Sequence, residues 1–468
     1  MTATGRLKIL VFLDNEVLIR NFVFGHSFDD LVRRHDVVFV FPSPAWRRIQ
    51  IDPAGLDLGT RFIRVEIPAR RLKFWSLLLR VNQLRIRLGK GYAERRKFYT
   101  SRMPWKATLE SRVLIACGFP GVFLLFKRSI NRSLAANPCF ALSSLIEREK
   151  PDLMLHPSTF DGYFINDVIG EGEKKGVPTV LVMNSWDNPS LKCSMFGQAD
   201  FTVVWGEQTV RHAGKFMNIP REKTHVLGAA QFDIFKAPPR LTREDFCREH
   251  GIDPVRTIVM YAGSSRQTDE YSHLRLLDDA IERGLVGLTS VVYRPHPWGR
   301  CGVNGERIAT HPWRHVIFEN SMRQYIDGIA RGKPGGFLDN ADYYRAHDVL
   351  SSIDALISPL STIILEAIIH GKPTLCFLPI EEGQDAISLR LGLDHFVELF
   401  RSQAMVVCNS RHKLVDGVCT LIDRSKDPSF SALAKKEAAF FVQQPKEPYS
   451  IALANFIENV CEASAGTG

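Results

Sequence analysis

The stretch that decides the fold runs from Ser358 to Pro373 and reads SPLSTIILEAIIHGKP. Its apolar residues recur at the spacing of one helix face, which predicts a helix packed on a sheet. The apolar residues with this spacing are Leu360, Ile363, Ile364, Ala367 and Ile368. Thr362, Glu366 and His370 fall on a different face, and Ser361 stands where an N-cap residue is expected. A Gly-Lys-Pro sequence then favours an end of the helix.

The start of this predicted helix has the composition of a phosphate site. Unpaired backbone N–H groups and the helix dipole favour an anion at a helix N-terminus. The hydroxyls of Ser361 and Thr362 add donors there, and the Glu366 carboxylate, one turn further on, is placed to accept from two ribose hydroxyls. The pattern therefore predicts a nucleotide site. Plain capping by Ser361 and a solvated position for Glu366 are the alternatives.

Strand and helix patterns alternate along the chain, which predicts doubly wound, mostly parallel sheets. The predicted strands of the first half are Leu7–Leu13, Asp36–Phe41, Asp152–His156, Thr179–Met183, Phe201–Trp205 and Thr224–Leu227. Those of the second half are Thr257–Ala262, Leu288–Tyr293, Val316–Phe318, Ala355–Ser358 and Thr374–Phe377. We also expect an amphipathic helix over 20–34 and a polar loop over 320–336.

A linker pattern at 235–240 separates the two halves. We expect an N-terminal domain over 1–237, a C-terminal domain over 238–445, and a helix over 446–468 that returns to the first domain. Two open α/β domains in sequence predict a ligand-binding cleft at the carboxyl ends of their strands.

Composition fits a globular chain of 468 residues, 45% hydrophobic and 24% charged, which corresponds to about two to three domains. The nine cysteines are scattered without a C-x-x-C pair. Their spacing disfavours a disulfide framework or a zinc site and favours a reducing compartment. No uninterrupted apolar run reaches the ~18 residues of a membrane span, and the N-terminus lacks a signal-peptide pattern.

Positive charge is concentrated in one segment. The chain carries a net charge of +9, whereas residues 70–132 alone carry +14 and the remainder −5. The same segment is rich in aromatic and aliphatic residues, which favours a helical insertion over about 68–135 that lies on anionic lipid headgroups. A solvated helical insertion with a core-facing stripe is the alternative. No nucleic-acid motif accompanies the charge, so a nucleic-acid partner is disfavoured.

Five segments in order resemble a known fold family. They are Asn184–Asn188 (NSWDN), Val204–Gln208 (VWGEQ), Gly228–Asp233 (GAAQFD), Arg294–Pro297 (RPHP) and the Ser361–Pro373 block. Together they resemble the two-Rossmann-domain glycosyltransferases (GT-B). More narrowly, they resemble bacterial surface-polymer transferases related to CDP-glycerol glycerophosphotransferases. The resemblance covers residues 5–460 apart from the basic insertion, and it implies an α/β fold of two Rossmann-like, doubly wound domains facing across a cleft.

The resemblance implies donor-binding roles in the C-terminal domain. His296 resembles the His-Pro element that contacts the donor's phosphate, where an imidazole can donate to the departing oxygen. Arg294 is expected to add a charge-assisted contact, and the turn Gly263-Ser264-Ser265 to present backbone N–H groups to phosphate. A loop-capping His296, a loop-bracing Arg294 and an ordinary βα turn are the alternatives.

The acceptor side falls in the N-terminal domain. Asp187, which with Trp186 and Asn188 follows a strand, is the first candidate for deprotonating the acceptor hydroxyl. Asp161 is the second candidate and His26, near the first strand, is the third. A tight turn is the alternative for Asp187, since Asp-Asn favours turns.

The resemblance implies a cytoplasmic-face transferase that moves a glycosyl group from a nucleotide-activated sugar to a surface glycan or lipid-linked acceptor. No metal or other cofactor is expected, in keeping with the lack of a convincing D-x-D motif. Three alternatives stay open: a CDP-glycerol-type glycerophosphotransferase, a non-hydrolysing UDP-sugar 2-epimerase, and an inactive scaffold of a polymer-assembly complex.

Overall fold

The computed structural model describes residues 5–46, 49, 51–84, 107–159, 162–191, 197–264, 268–297, 301–331, 342–382 and 393–465. The chain divides into two compact units. The first unit comprises Met1–Asp233, Gly392–His395 and Phe441–Gly468, and the second comprises Ile234–Leu391 and Phe396–Phe440.

The first unit contains a seven-stranded, all-parallel sheet in the order β3-β2-β1-β4-β5-β6-β7. Its strands are β1 (Lys8–Phe12), β2 (Asp36–Pro42), β3 (Phe62–Val65), β4 (Leu153–His156), β5 (Thr179–Val182), β6 (Phe201–Val204) and β7 (Thr224–Val226). The central strands are buried on both faces, which explains their near-continuous apolar sequences. The strand order reverses between β1 and β4, as in a doubly wound fold.

Helices cover both faces of this sheet. They are Glu16–Leu18, Asp29–Arg34, Phe140–Glu149, Ile165–Lys175, Asn188–Leu191, Glu207–His212 and Tyr449–Ala465. Of the described residues between β3 and Phe140, Ala69–Leu84, Ala107–Cys117 and Pro120–Ala135 are helical. The helix Ile165–Lys175 ends at Gly176 in the left-handed conformation (φ +66°), which glycine adopts without strain.

The second unit contains a six-stranded, all-parallel sheet in the order β10-β9-β8-β11-β12-β13. Its strands are β8 (Thr257–Ala262), β9 (Thr289–Arg294), β10 (Val316–Phe318), β11 (Ala355–Ser358), β12 (Thr374–Phe377) and β13 (Met405–Cys408). In the described part of the chain, the remaining helices are Arg243–His250, Glu270–Glu282, Gly305–Thr310, Arg323–Ala330, Tyr343–Ser352, Ile363–Ile369, Asp394–Leu399, Leu414–Ser425 and Pro428–Phe441. Here the strand order reverses between β8 and β11.

Every strand predicted from the sequence is present, with ends that differ by at most one residue. Two predictions were wrong in part. The segment 20–34 is not one helix, because a π-helical turn at Ile19–Val23 and a left-handed His26 (φ 54°) interrupt it. The loop predicted over 320–336 is wrong for 320–331, where burial of Tyr325 and Ile326 stabilises the helix Arg323–Ala330; residues 332–336 lie outside the described part of the chain.

Candidate functional site

The carboxyl ends of β9 and β11 bring two polar residues to one level of the second sheet. Arg294 pairs in register with Ala262, and Tyr261 pairs with Ile357, so Ser358 follows at the level of Ala262. Only β8 lies between Arg294 and Ser358, which corresponds to a separation of roughly 10 Å between backbones. Residues at one level of a parallel sheet point to the same face, so these two side chains share a face at the strand reversal.

Both side chains are buried with hydrogen-bonding capacity unused. Ser358 is 0% exposed and Arg294 is 8% exposed. Among the described residues, Oγ of Ser358 and Nη1 of Arg294 have no hydrogen-bond partner. Buried polar atoms are nearly always paired, because leaving one unpaired costs about 1–3 kcal/mol. A cationic N–H donor and a hydroxyl on one face of the sheet therefore form a potential oxyanion site.

A buried carboxylate sets the charge next to Arg294. Glu319 follows β10 at the level after the Tyr293–Phe318 pair and is 0% exposed. Burial by itself raises the pKa of Glu319, but the nearby guanidinium groups of Arg294 and Arg345 bring that pKa below its usual value. The Arg345 guanidinium donates to Oε1 of Glu319 from Nη2 (2.7 Å) and Nε (2.9 Å). Arg345 thus fixes this carboxylate.

The helix after β11 buries Ile364, Ala367 and Ile368 as its sequence predicts, whereas Ile363, expected on the same face, is half-buried. Ile364, Leu365, Ala367, Ile368 and Ile369 are buried, whereas the stripe of Thr362, Glu366 and His370 is half-buried. The helix begins at Ile363, with Thr362 rather than Ser361 in the cap position and no side-chain capping hydrogen bond.

The first i to i+4 hydrogen bond of the helix joins the N–H of Glu366 to the carbonyl of Thr362 (3.2 Å), whereas the carbonyl of Ser361 accepts from the N–H of Ile364 in a tighter turn (3.2 Å). Nδ1 of His370 lies 2.7 Å from the carbonyl oxygen of Glu366, which ties the stripe to the end of the helix.

Two N–H groups predicted to face a phosphate after β8 are used within the protein. The N–H of Gly263 donates to the carbonyl of Arg294 (2.9 Å), and the N–H of Ser264 donates to Oε1 of Glu270 (3.1 Å). Ser265 lies outside the described residues. His296, the other donor-side candidate, is half-buried between Pro295 and Pro297 at the end of β9.

Glu270 is a buried acid that sequence reasoning missed. Its side chain is 0% exposed, and the Tyr293 hydroxyl donates to its Oε2 (2.6 Å). Burial raises the pKa of Glu270 to about 7, despite the hydrogen bonds from Tyr293 and from Ser264 that favour the ionised form. A Cβ at Gly263 would lie 2.6 Å from Oε2 of Glu270, so the carboxyl group packs directly against this turn.

A second buried chain of hydrogen bonds lies beside Glu270. The Tyr261 hydroxyl is 2.7 Å from Nδ1 of His273, whose Nε2 contacts Oε1 of Glu382. The Arg411 guanidinium reaches the hydroxyl of Ser272 (3.1 Å) on the same helix as His273. These contacts connect β8 and the helix Glu270–Glu282 to the segments after β12 and β13. The residues in these contacts are far apart in the sequence, so no local sequence pattern predicts the contacts.

The acceptor-side candidates occupy different environments in the first unit. Asp187 is half-buried and accepts from the hydroxyl of Ser185 (2.6 Å). The side chain of His26 is 68% exposed, and its Nδ1 lies 3.1 Å from Oδ2 of Asp29. Asp161 lies outside the described residues. Trp186, expected beside Asp187, is buried against His395 and Phe441.

Sequence reasoning also missed a buried Asp–His pair in the first unit. Asp14, after β1, and His156, at the end of β4, are both 0% exposed, and Nε2 of His156 lies 2.9 Å from Oδ2 of Asp14. The N–H groups of Tyr163 (2.6 Å) and Phe164 (3.2 Å) donate to the same oxygen. Burial alone would raise the pKa of Asp14, but His156 and these N–H groups hold it below its usual value.

The described part of the chain has neither a metal-site cluster nor a membrane-spanning helix. No cluster of three or more His, Cys, Asp or Glu side chains there has the arrangement of a metal site. No helix there combines the length and apolar character needed to cross a membrane.

Comparison with known proteins gives similarity in structure alone. No protein-family model matches the chain, and no curated protein sequence matches it. A protein from Listeria monocytogenes assigned as a UDP-N-acetylglucosamine 2-epimerase superposes with a TM-score of 0.52 at 11% identity, over 99% of this chain and 98% of that one. The UDP-GlcNAc 2-epimerase of Neisseria meningitidis gives 0.50 at 10% identity, over 97% of this chain and 100% of that one. With its two doubly wound parallel sheets, the chain therefore has the two-Rossmann-domain GT-B fold.

Proposed function

We propose that this protein is a metal-independent transferase that moves a glycosyl group from a nucleotide-activated sugar to a surface glycan or lipid-linked acceptor. The observation that carries the proposal is the pair of unused buried donors, Arg294 and Ser358, at the strand reversal of the second sheet. Ligands of open α/β sheets bind beyond the carboxyl ends of the strands at such a reversal. A diphosphate there would accept hydrogen bonds from both groups.

The remaining donor-side roles follow from position. Ser361, Thr362 and Glu366 are on the partly exposed side of the segment after β11, where hydroxyl and carboxylate groups suit the phosphate and ribose of a nucleotide. His296 would donate to the departing phosphate oxygen. Because the N–H groups of Gly263 and Ser264 are already used, we assign that turn a structural role beside the nucleotide. Asp187 is our candidate for the base that activates the acceptor hydroxyl.

Ser358→Ala is the sharpest test of the donor site. The substitution removes one hydroxyl group that has no protein partner, so the free energy of unfolding of the unliganded protein should stay equal or rise slightly. Nucleotide affinity should fall about tenfold, the equivalent of one hydrogen bond. Thermal shift with UDP, CDP, GDP, dTDP and CMP derivatives measures both, since a ligand at ~100 Kd stabilises by roughly 2.7 kcal/mol.

The first unit offers a matched control. Oγ1 of Thr202 is also buried without a hydrogen-bond partner among the described residues, so Thr202→Val removes an equivalent hydroxyl far along the sequence from the site. It should leave nucleotide affinity unchanged. Equal nucleotide affinity in Ser358→Ala and the parent protein would show that Ser358 does not bind the donor.

Product analysis separates the candidate activities. Release of a nucleoside diphosphate from a nucleotide sugar only in the presence of an acceptor supports the proposal. Release of CMP from CDP-glycerol identifies a glycerophosphotransferase, and interconversion of a UDP-sugar without an acceptor identifies a 2-epimerase. A protein that binds membrane or protein partners but no nucleotide would be a scaffold.

The proposal includes a location. A lipid-linked acceptor is presented at a membrane surface, and the excess of positive charge over residues 70–132 suits the anionic inner face of a membrane. We therefore propose a peripheral position at the cytoplasmic face.

A further inference from the structure

Two consecutive helices of the first unit carry several exposed apolar side chains on either side of the turn that joins them. The helices Ala107–Cys117 and Pro120–Ala135 are joined at Gly118 and Phe119. The large apolar side chains exposed around this turn are Leu109, Val113, Phe119, Val122, Leu124 and Leu125, with exposed fractions between 46% and 72%. We call this group the apolar ridge. Six large exposed apolar side chains within residues 109–125 make this part of the surface a candidate interaction site.

The ridge is exposed because the helices have a separate core. Phe123, Ile130 and Leu134 share the inner face of the second helix and are buried with Leu114 of the first helix. This core packs on the helix Ala69–Leu84, and a Cβ at Gly118 would lie 3.1 Å from the carbonyl oxygen of Leu84. The ridge residues cannot turn inward without displacing this core.

A buried ion pair fixes the helices to the sheet-bearing part of the first unit. The guanidinium of Arg71 donates to Asp167 from Nε (2.6 Å) and to the carbonyl oxygens of Leu134 (2.7 Å) and Asn137 (2.8 Å) from Nη1. The indole N–H of Trp75 donates to the same carboxylate (3.1 Å). The ridge is therefore held on a rigid support.

The charges beside the ridge are positive. Leu125, Arg128 and Arg132 follow i, i+3, i+7 spacing and form one exposed stripe, with the apolar residue nearest the turn. Glu110 is the one acidic residue in the sequence 107–135, and it pairs with Arg80 (2.9 Å). An apolar tip followed by cationic side chains matches the layers of an anionic bilayer, where acyl chains lie beneath charged headgroups.

We infer that the apolar ridge inserts into an anionic phospholipid bilayer while Arg128 and Arg132 contact its headgroups. The helices have 11 and 16 residues, fewer than the ~20 needed to cross a membrane, so the ridge enters one leaflet. This inference rests on the peripheral location in the proposed function and names the residues responsible for it.

The test is cosedimentation of the full chain with phosphatidylcholine vesicles, with and without phosphatidylglycerol. The parent protein should bind the vesicles that contain phosphatidylglycerol, and less so as salt rises. Leu124→Ser/Leu125→Ser should lower vesicle partition by at least about tenfold, the equivalent of one buried leucine side chain. Arg128→Glu/Arg132→Glu should abolish the preference for phosphatidylglycerol.

Val255→Ser/Leu288→Ser is the matched control, because these side chains are equally exposed (77% and 68%) in the second unit. It should bind vesicles like the parent. Parent-like binding by Leu124→Ser/Leu125→Ser, or absence of parent binding to both vesicle types, would overturn the inference. A parent dimer in sedimentation velocity that this double variant dissociates would instead identify the ridge as a self-interface.

Donor binding distinguishes failure of this inference from failure of the proposed function. Nucleotide thermal shifts are measured without vesicles, so ridge variants should retain them. A protein that binds vesicles through the ridge but no nucleotide would refute the enzyme assignment alone.

Discussion

Glu270→Gln should remove a large pH dependence of stability from the second unit. The Glu270 carboxyl group is fully buried, and its hydrogen bonds come from a hydroxyl and an N–H group. Burial raises its pKa to about 7, whereas the pKa of an unfolded glutamate is 4.5. Glutamine keeps the shape and both hydrogen-bonding positions but does not ionise.

The sign follows from proton linkage. A raised pKa in the folded state means that the neutral carboxyl contributes its full stability below pH 4.5. This contribution is lost as the pH rises through about 7, because the unfolded chain ionises first. Between pH 5 and pH 8, the parent protein should lose about 2.5 kcal/mol of unfolding free energy relative to Glu270→Gln.

Urea unfolding of parent and variant at several pH values between 5 and 8 measures this difference. Glu319→Gln is the control: the pKa of Glu319 lies below its usual value, so this buried carboxylate is ionised throughout and its difference from the parent should stay constant. The unfolding free energies of the parent and Glu270→Gln are compared across this pH range. If their difference stays constant within about 0.5 kcal/mol, the assignment of Glu270 as a neutral buried acid is refuted.

Two further substitutions test the packing of the first unit. Gly228→Ala should destabilise by more than about 2 kcal/mol in urea unfolding, because φ is +84° and a Cβ would lie 2.0 Å from the carbonyl oxygen of Gln443. Gly176→Ala, with φ +66° and no atom within 4 Å, should cost only about 1–2 kcal/mol, and equal costs would contradict the predicted clash. Arg71→Met should cost about 3–5 kcal/mol by leaving Asp167 buried without its cation, and Arg71→Met/Asp167→Leu should recover most of that loss. A double variant no more stable than Arg71→Met would show that packing, not charge, sets the cost.

Local sequence was sufficient for most of the sheet. The central strands are short apolar runs, and burial on both faces makes that pattern unambiguous. The two strands without a prediction, β3 and β13, lie at sheet edges, where they are only partly buried. In Phe62–Val65 the exposed Arg64 weakens the apolar pattern, whereas the edge strands β7 and β10 were predicted from sequence.

The site could be predicted only in part, because its partners are distant in sequence. The Ser361–Glu366 segment has a local signature in its helical spacing. Asp14 and His156 are 142 positions apart, and only strand pairing brings them together. Arg294 and Ser358 come to the same level of the sheet only through the register of three strands. No single segment of the sequence determines that register.

The return of the C-terminal segment has a consequence for biosynthesis. Tyr449, Leu453, Ile457 and Val460 belong to the hydrophobic core that includes β1 and β2, so the first unit lacks part of its interior until these residues have been synthesised. At 5–20 residues per second, the ribosome needs roughly 10–45 s to proceed from Asp233 to Val460. During that interval the nascent first unit exposes the apolar surface that Tyr449, Leu453, Ile457 and Val460 later cover, while the second unit is being synthesised.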